Sequence, residues 1–170
     1  MQAQIDVRQS EAVEFVVKNE PWVRYKLDDH TVLLARFVLS KVYRSSEYDA
    51  AGQPIYGWSS QSLFTTLASN EMKGEPTNPP PTSLTPGSFQ ATPVDFERVG
   101  SEQWNVYEFK DGTLLRVKLE ITSVARTEMF NPDGDPYYVI SSQTITRLKV
   151  PSGLLKKQIP RIRSSNDIYK

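Results

Sequence analysis

The sequence predicts an all-β protein built from two copies of one antiparallel meander. Three observations support this prediction. The chain aligns with itself without gaps at an offset of 82 residues, apolar residues alternate along the second strand of each copy, and Gly and Pro stand at matching places in the connections. We expect about six to eight strands in one barrel or sandwich, with the copies related by an approximate two-fold axis.

The repeat is read directly from the residues. Residues 22–61 fall on residues 104–143 with thirteen identical pairs, against roughly three expected by chance from ordinary residue usage. The identical pairs are Trp22/Trp104, Tyr25/Tyr107, Asp29/Asp111, Thr31/Thr113, Leu33/Leu115, Val42/Val124, Arg44/Arg126, Gly52/Gly134, Pro54/Pro136, Tyr56/Tyr138 and the Ser-Ser-Gln triplets at 59–61 and 141–143. Positions kept in both copies meet the same physical demand twice, and for the tryptophans and tyrosines we expect that demand to be buried area.

The hydrophobic pattern defines the strands within each copy. A first strand is followed by a tight turn, "DDHT" or "KDGT", in which Asp111-Gly112 is a favoured hairpin dipeptide. The long second strand alternates with a period of two, but its phase flips before Val42 and Val124, which predicts a β-bulge or a sharp bend near Ser40 and Thr122. The third strand is predicted from Ile55 to about Leu67 and over 137–150.

Composition divides the chain into four parts. Residues 1–74 form the first β repeat, 75–93 a Pro-rich linker or strap, 94–150 the second repeat and 151–170 a basic C-terminal tail. Within the first part, residues 1–19 are compatible with an extra strand or a short helix.

Bulk properties narrow the function classes. The chain has no cysteine, its formal net charge is +0, and no apolar run approaches the length of a membrane span. The start lacks the apolar core of a signal peptide, so we expect a cytoplasmic protein that does not bind membranes. The single histidine, His30, stands in a hairpin turn, and no nucleophile motif or Gly-rich phosphate loop is present. We therefore expect neither catalytic residues nor a cofactor.

The Ser-Ser-Gln triplets are the first candidate site. On a strand, Ser59 and Gln61 face one side and Ser60 the other, and Ser141 and Gln143 likewise face one side with Ser142 opposite, so polar groups interrupt both faces at one level. The favoured interpretation is a buried hydrogen-bonded belt between the copies. The alternative is a surface that binds a ligand or a partner.

Arg44 and Arg126 are the second candidate. They could pair with loop carboxylates such as Glu47 and Glu128, or hold a phosphate or carboxylate as a matched arginine pair. A third pattern, the alternating acids of "FNPDGDPYY", resembles the start of a calcium loop but lacks its glycine and distal glutamate. There we expect a turn and no metal.

The tail carries the fourth candidate. From Lys149 onward six basic residues stand against one acidic residue, with Lys156, Lys157, Arg161 and Arg163 as the central cations. Such a segment suits an acidic partner or nucleic acid.

Three functional hypotheses follow. The leading one is a non-catalytic binding or assembly module for a protein partner or for self-association. The second is nucleic-acid binding through Arg36, Arg116, Lys118 and the tail, with aromatic rings stacking on bases. The third is a small-molecule site between the repeats, around the Ser-Ser-Gln triplets.

Overall fold

The computed structural model describes residues 5–85, 87 and 89–157, and this part of the chain is all-β. The first half contains β1 (Ser10–Val13), β2 (Phe15–Asn19), β3 (Val23–Leu27), β4 (Val32–Tyr48) and β5 (Pro54–Leu67). The second half contains β6 (Ala91–Pro93), β7 (Phe96–Val99), β8 (Asn105–Phe109), β9 (Leu114–Phe130) and β10 (Pro136–Lys149). Single 3-10 turns lie at Val7–Gln9, Asn70–Met72 and Ser152–Leu154. Ten strands thus replace the predicted six to eight.

The strands form two five-stranded antiparallel sheets, and no closed barrel is found among the described residues. The first sheet has the order β1-β4-β3-β7, with β5 on the other side of β4. The second has the order β10-β9-β8-β2, with β6 also pairing with β9. The bounds of β3, β4 and β5 differ from those of β8, β9 and β10 by 82 residues throughout. That this correspondence arose by duplication stays a prediction.

Each half gives one strand to the sheet of the other. β2 leaves the first half and pairs with β8, and β7 leaves the second half and pairs with β3. The rings of Phe15 and Phe96, which begin these exchanged strands, meet Tyr107 and Tyr25 edge-on, each with centroids 5.9 Å apart. These aromatic residues belong to one continuous cluster of buried and partly buried side chains drawn from both halves. The halves therefore share one core. The segment 1–19, left open between strand and helix, supplies β1 and β2.

Of the predicted bulge or sharp bend near Ser40 and Thr122, the structure shows a bulge in both halves. The register between β4 and β5 shifts between Leu39 and Lys41, and the register between β9 and β10 shifts between Ile121 and Ser123. One extra residue in each long strand restores the following valine, Val42 in the first half, to the core.

The glycines kept in both halves occupy turns that a segment from the other half of the chain crosses. Gly52 and Gly134 have φ of 78° and 83°, which glycine adopts without a steric penalty. The carbonyl oxygens of both accept backbone hydrogen bonds, from Lys156 at 2.8 Å and from Gly74 at 2.9 Å. A Cβ on Gly52 would lie 2.5 Å from the carbonyl oxygen of Lys156, so the close approach requires glycine as well.

Candidate functional site

A buried polar cluster joins the first hairpin turn to the third strand of the second half. Asp29 Oδ1 accepts the backbone N–H of Thr31 at 3.0 Å, which fixes the turn between β3 and β4. Asp29 Oδ2 accepts the hydroxyl of Tyr138 at 2.7 Å and the guanidinium of Arg126 at 2.9 Å. The hydroxyl of Tyr138 donates its proton in the hydrogen bond to Asp29. The Thr31 hydroxyl is therefore the donor in the 2.8 Å hydrogen bond between Thr31 and Tyr138.

An equivalent cluster, with the roles of the two halves exchanged, joins the second hairpin turn to the third strand of the first half. Asp111 Oδ1 accepts the backbone N–H of Thr113 at 3.0 Å, and Asp111 Oδ2 accepts the hydroxyl of Tyr56 at 2.5 Å. Arg44 lies 3.7 Å from the same carboxylate oxygen. All eight residues of the two clusters are identical pairs of the repeat. The predicted Arg44–Glu47 and Arg126–Glu128 pairs are thus replaced by pairs with aspartates of the other half.

The protonation states of these clusters are set by burial and by their hydrogen bonds. Burial opposes ionisation of Asp29, but hydrogen bonds from Tyr138, Thr31 and Arg126 outweigh it, and the pKa of Asp29 lies below its usual value. The pKa of Asp111 is lowered against burial in the same way, first by Tyr56. Burial, and then the hydrogen bond to Asp111, raises the pKa of Tyr56 to about 12.

These pKa directions bear on catalysis. At neutral pH each aspartate is ionised, and both of its carboxylate oxygens already accept hydrogen bonds, Oδ1 from a backbone N–H and Oδ2 from a tyrosine hydroxyl. A carboxylate with a lowered pKa, whose two oxygens already accept hydrogen bonds, is a weak general base. The chemistry of the clusters therefore favours a fixed connection between the halves over proton transfer.

Two clefts lie beside the clusters, between the edge strands β5 and β10. The β10 cleft has a volume of about 400 Å³, with residues 136–141 of β10 on one wall and Phe64, Thr66 and Leu84 facing them. The β5 cleft has a volume of about 530 Å³. Its walls include residues 53–56, Trp58 and Ser60 on one side and Thr144, Thr146 and Leu148 on the other. Corresponding strand segments of the two halves thus line corresponding clefts.

The Ser-Ser-Gln triplets lie at the bulges. Ser59 and Ser60 pair with Lys41 and Leu39 on either side of Ser40, whose hydroxyl donates to the carbonyl oxygen of Ser59 at 2.9 Å. All six triplet residues are exposed, so the interpretation as a buried belt is wrong. At the bulge and just after it, residues 59–63 of β5 and 141–147 of β10 are exposed, so both faces of each edge strand meet solvent there, whereas Phe64 and Leu148 again pack partly against the core.

The triplets are still adjacent to the clefts. Ser60 lines the β5 cleft and Ser141 lines the β10 cleft. Ser59, Gln61 and Gln143 are not among the principal lining residues. Binding of a ligand or partner by these residues stays a prediction.

The tail is described only up to its first two central cations. The ammonium group of Lys156 lies 5.3 Å from the ring centre of Tyr48, and Lys157 is exposed. Arg161 and Arg163 lie outside the described residues, so the expectation for them stays a prediction.

The cations proposed for nucleic acid differ in their surroundings. Arg36 binds Glu20 at 2.9 Å and lies over Trp22, which is 44% exposed although we expected it to be buried. Lys118 binds Glu102 and Glu120 at 2.6 and 3.0 Å. Arg116 makes no ion pair within the described part of the chain.

The acidic loop is a turn. Asn131 Oδ1 accepts the backbone N–H groups of Asp133 and Asp135, both at 2.9 Å, and Asp49 accepts two N–H groups in the corresponding loop. Among residues 5–85, 87 and 89–157, no group of three or more His, Cys, Asp or Glu side chains is arranged to hold a metal ion. In the same part of the chain no helix has the length and apolarity needed to cross a membrane.

The sequence contained a signal for the polar clusters that its interpretation missed. Asp29, Thr31 and their counterparts are identical pairs of the repeat, but among the cluster residues only the tyrosines, as buried area, and the arginines, as partners of loop carboxylates or of an anion, have a predicted role. The tyrosines are indeed buried. Their partners across the halves could not be read from spacing. No known protein family, curated protein or solved structure matches this chain.

Proposed function

We propose that this protein is a non-catalytic binding module that accepts an extended segment of a partner protein in the clefts along β5 and β10. One observation carries the proposal: residues 136–141, six consecutive positions of an edge strand, line a single cleft wall. Because successive side chains of a strand point to opposite faces, consecutive lining residues present the strand's backbone edge. Such an edge offers N–H and C=O groups to an incoming strand.

The opposite wall has the features of a side-chain pocket. β5 contributes only alternate residues, Phe64 and Thr66, which places one of its faces toward the cleft. Leu84, from the Pro-rich segment, adds a further apolar group. A strand added to β10 would therefore bury its alternate side chains against this wall, which is the source of specificity in strand addition.

The edge strand β5 also lacks the usual protection against pairing. Natural edge strands carry charges, are short or are covered. β5 has 14 residues and no charged side chain, and it pairs only with β4 among the described strands. With β10 as the second edge strand, one chain could make two weak strand additions that act together, which raises the overall affinity without new contacts.

The proposed duplication supports this function. If the halves descend from one ancestral unit, each would have retained a cleft bounded by the edge strand of the other. A second copy of the chain is one partner that fits, because its own uncharged β5 edge offers a compatible strand.

Adjacent threonines on β5 supply a matched test. Thr66 lines the β10 cleft, and Thr65 is exposed on the opposite face. Extended peptides of about six residues, the usual strand length, would be selected from a displayed library and their affinities measured by calorimetry. We expect Thr66→Lys to weaken binding at least tenfold and Thr65→Lys to leave it nearly unchanged. Light scattering across a wide concentration range would apply the same pair of variants to self-association. Equal effects of the two variants, or neither peptide binding nor self-association, would contradict the proposal.

A further inference from the structure

Two arginines face each other on the outer surface of the second sheet. Arg116 of β9 and Arg147 of β10 are direct cross-strand partners in the antiparallel ladder. Directly opposed residues share a face, and like charges in this position destabilise a sheet. This juxtaposition therefore needs a compensating group.

An indole ring holds both guanidinium groups. The guanidinium carbons of Arg116 and Arg147 lie 5.1 and 4.9 Å from the ring centre of Trp104, and the ammonium group of Lys118 lies 5.4 Å from it. Cation–π attraction at an exposed site is weak, so the ring positions the arginines without neutralising them.

The nearby carboxylates are engaged elsewhere. Glu102 and Glu120 bind Lys118 at 2.6 and 3.0 Å, and Glu120 also accepts Arg98 at 2.9 Å. The charge of Arg147 acts on Glu102 and helps to lower its pKa, after the larger effect of the hydrogen bond from Lys118. Neither Arg116 nor Arg147 has a hydrogen bond or ion pair within the described residues.

The first half provides an internal comparison. The positions that correspond to Arg116 and Arg147 are Leu34 and Thr65, which are also direct cross-strand partners. The same strand pairing thus forms with uncharged residues at these two positions. The two arginines are specific to the second half, so the shared fold does not account for them.

We propose that Arg116, Arg147 and Trp104 form a binding site for a phosphate group. Guanidinium forks match the oxygens of phosphate in bidentate geometry, and a doubly charged oxyanion between them would remove the repulsion. Free phosphate and the phosphate of a nucleic acid strand share this chemistry. The site lies on the outer face of the sheet and is separate from the clefts.

The first half supplies the substitutions for the test. Arg116→Leu and Arg147→Thr introduce the residues that the first half already carries. The control Arg24→Val removes an exposed arginine whose second-half counterpart is Val106. Thermal unfolding would be followed at low ionic strength, with inorganic phosphate compared to chloride at equal ionic strength.

We expect phosphate to raise the Tm of the wild-type protein and of Arg24→Val. We expect no such increase for Arg116→Leu or Arg147→Thr. In chloride alone, Arg147→Thr should unfold at a higher temperature than the wild type because the repulsion between the two arginines is gone.

Titration with a single-stranded oligothymidylate shows whether the site binds free phosphate or the phosphate of a nucleic acid strand. Binding at least tenfold tighter than inorganic phosphate, and lost in Arg147→Thr, would assign the site to nucleic acid phosphate. Equal or weaker binding would assign it to free phosphate. The proposal is overturned if phosphate stabilises the wild type no more than chloride, or stabilises Arg147→Thr equally.

Discussion

The carboxylate of Asp29 accepts a hydrogen bond of 2.7 Å from the hydroxyl of Tyr138, a residue 109 positions later in the chain. The mirror contact, from Tyr56 to Asp111, spans 55 positions. Both contacts cross from the hairpin turn of one half to the third strand of the other. Together they tie the halves at two points beside the clefts.

Removing either tyrosine hydroxyl should weaken the fold. Tyr138→Phe and Tyr56→Phe are each expected to lower the free energy of unfolding by about 1.5–3 kcal/mol, the range for hydrogen bonds to charged groups. Urea denaturation measures the change. The neighbouring Tyr137 makes no side-chain hydrogen bond with any residue that the structure describes, so Tyr137→Phe serves as the control and should change stability by less than about 0.5 kcal/mol. A similar loss in all three variants would refute the role of the hydroxyls.

Stability should fall in acid because of the two aspartates. Their pKa values are lower in the folded protein than in the unfolded chain, where the pKa of an aspartate is about 3.9. Their contribution is therefore fully present above that pH and is lost as the pH falls through the folded pKa values. Denaturation measured from neutral pH into this range should show the decline. The double variant Asp29→Asn, Asp111→Asn should be less stable at neutral pH and should show a shallower decline. An unchanged slope would contradict the assignment.

The first hairpin turn should gain stability from glycine. His30 adopts φ of 67°, while Gly112 holds the corresponding position at 88°. The left-handed region costs a side chain about 1 kcal/mol, and the greater freedom of glycine in the unfolded state offsets part of that gain. We expect His30→Gly to raise the free energy of unfolding by about 0.5 kcal/mol. Gly112→His should lower it, since an added Cβ would also lie 3.2 Å from Pro151 Cγ. A loss of stability in His30→Gly would be inconsistent with strain at this turn.

The exchanged strands should make unfolding cooperative. Phe15→Ala and Phe96→Ala each remove a ring that packs on a buried tyrosine of the other half, and each should cost about 2 kcal/mol. Circular dichroism and tryptophan fluorescence should report one coincident transition in both variants, because the halves share a core. Val16→Ala, at a side chain 58% exposed, is the matched control with little effect. Two separate transitions would show that the halves fold independently.

The sequence alone was enough to predict the strands, bulges and turns that depend on the spacing of neighbouring residues. The long strands were predicted from their period of two, and the bulges from the phase change at Ser40 and Thr122. The second hairpin turn was predicted from the dipeptide at 111–112. These features follow from the alternation of side chains along a strand and from the φ that a turn requires, so they need no knowledge of distant partners.

Which strands pair between the halves, and which side chains contact each other across them, could be learned only from the tertiary structure. Periodicity assigns a residue to a face of a strand but does not name the strand opposite. The exchange of β2 and β7, the reciprocal Asp29–Tyr138 and Asp111–Tyr56 contacts, and the exposure of the Ser-Ser-Gln triplets therefore stayed hidden. Each depends on how two sheets pack and where an edge strand leaves the core. Those are long-range arrangements, selected by the burial of a common core rather than by the residues of any single segment.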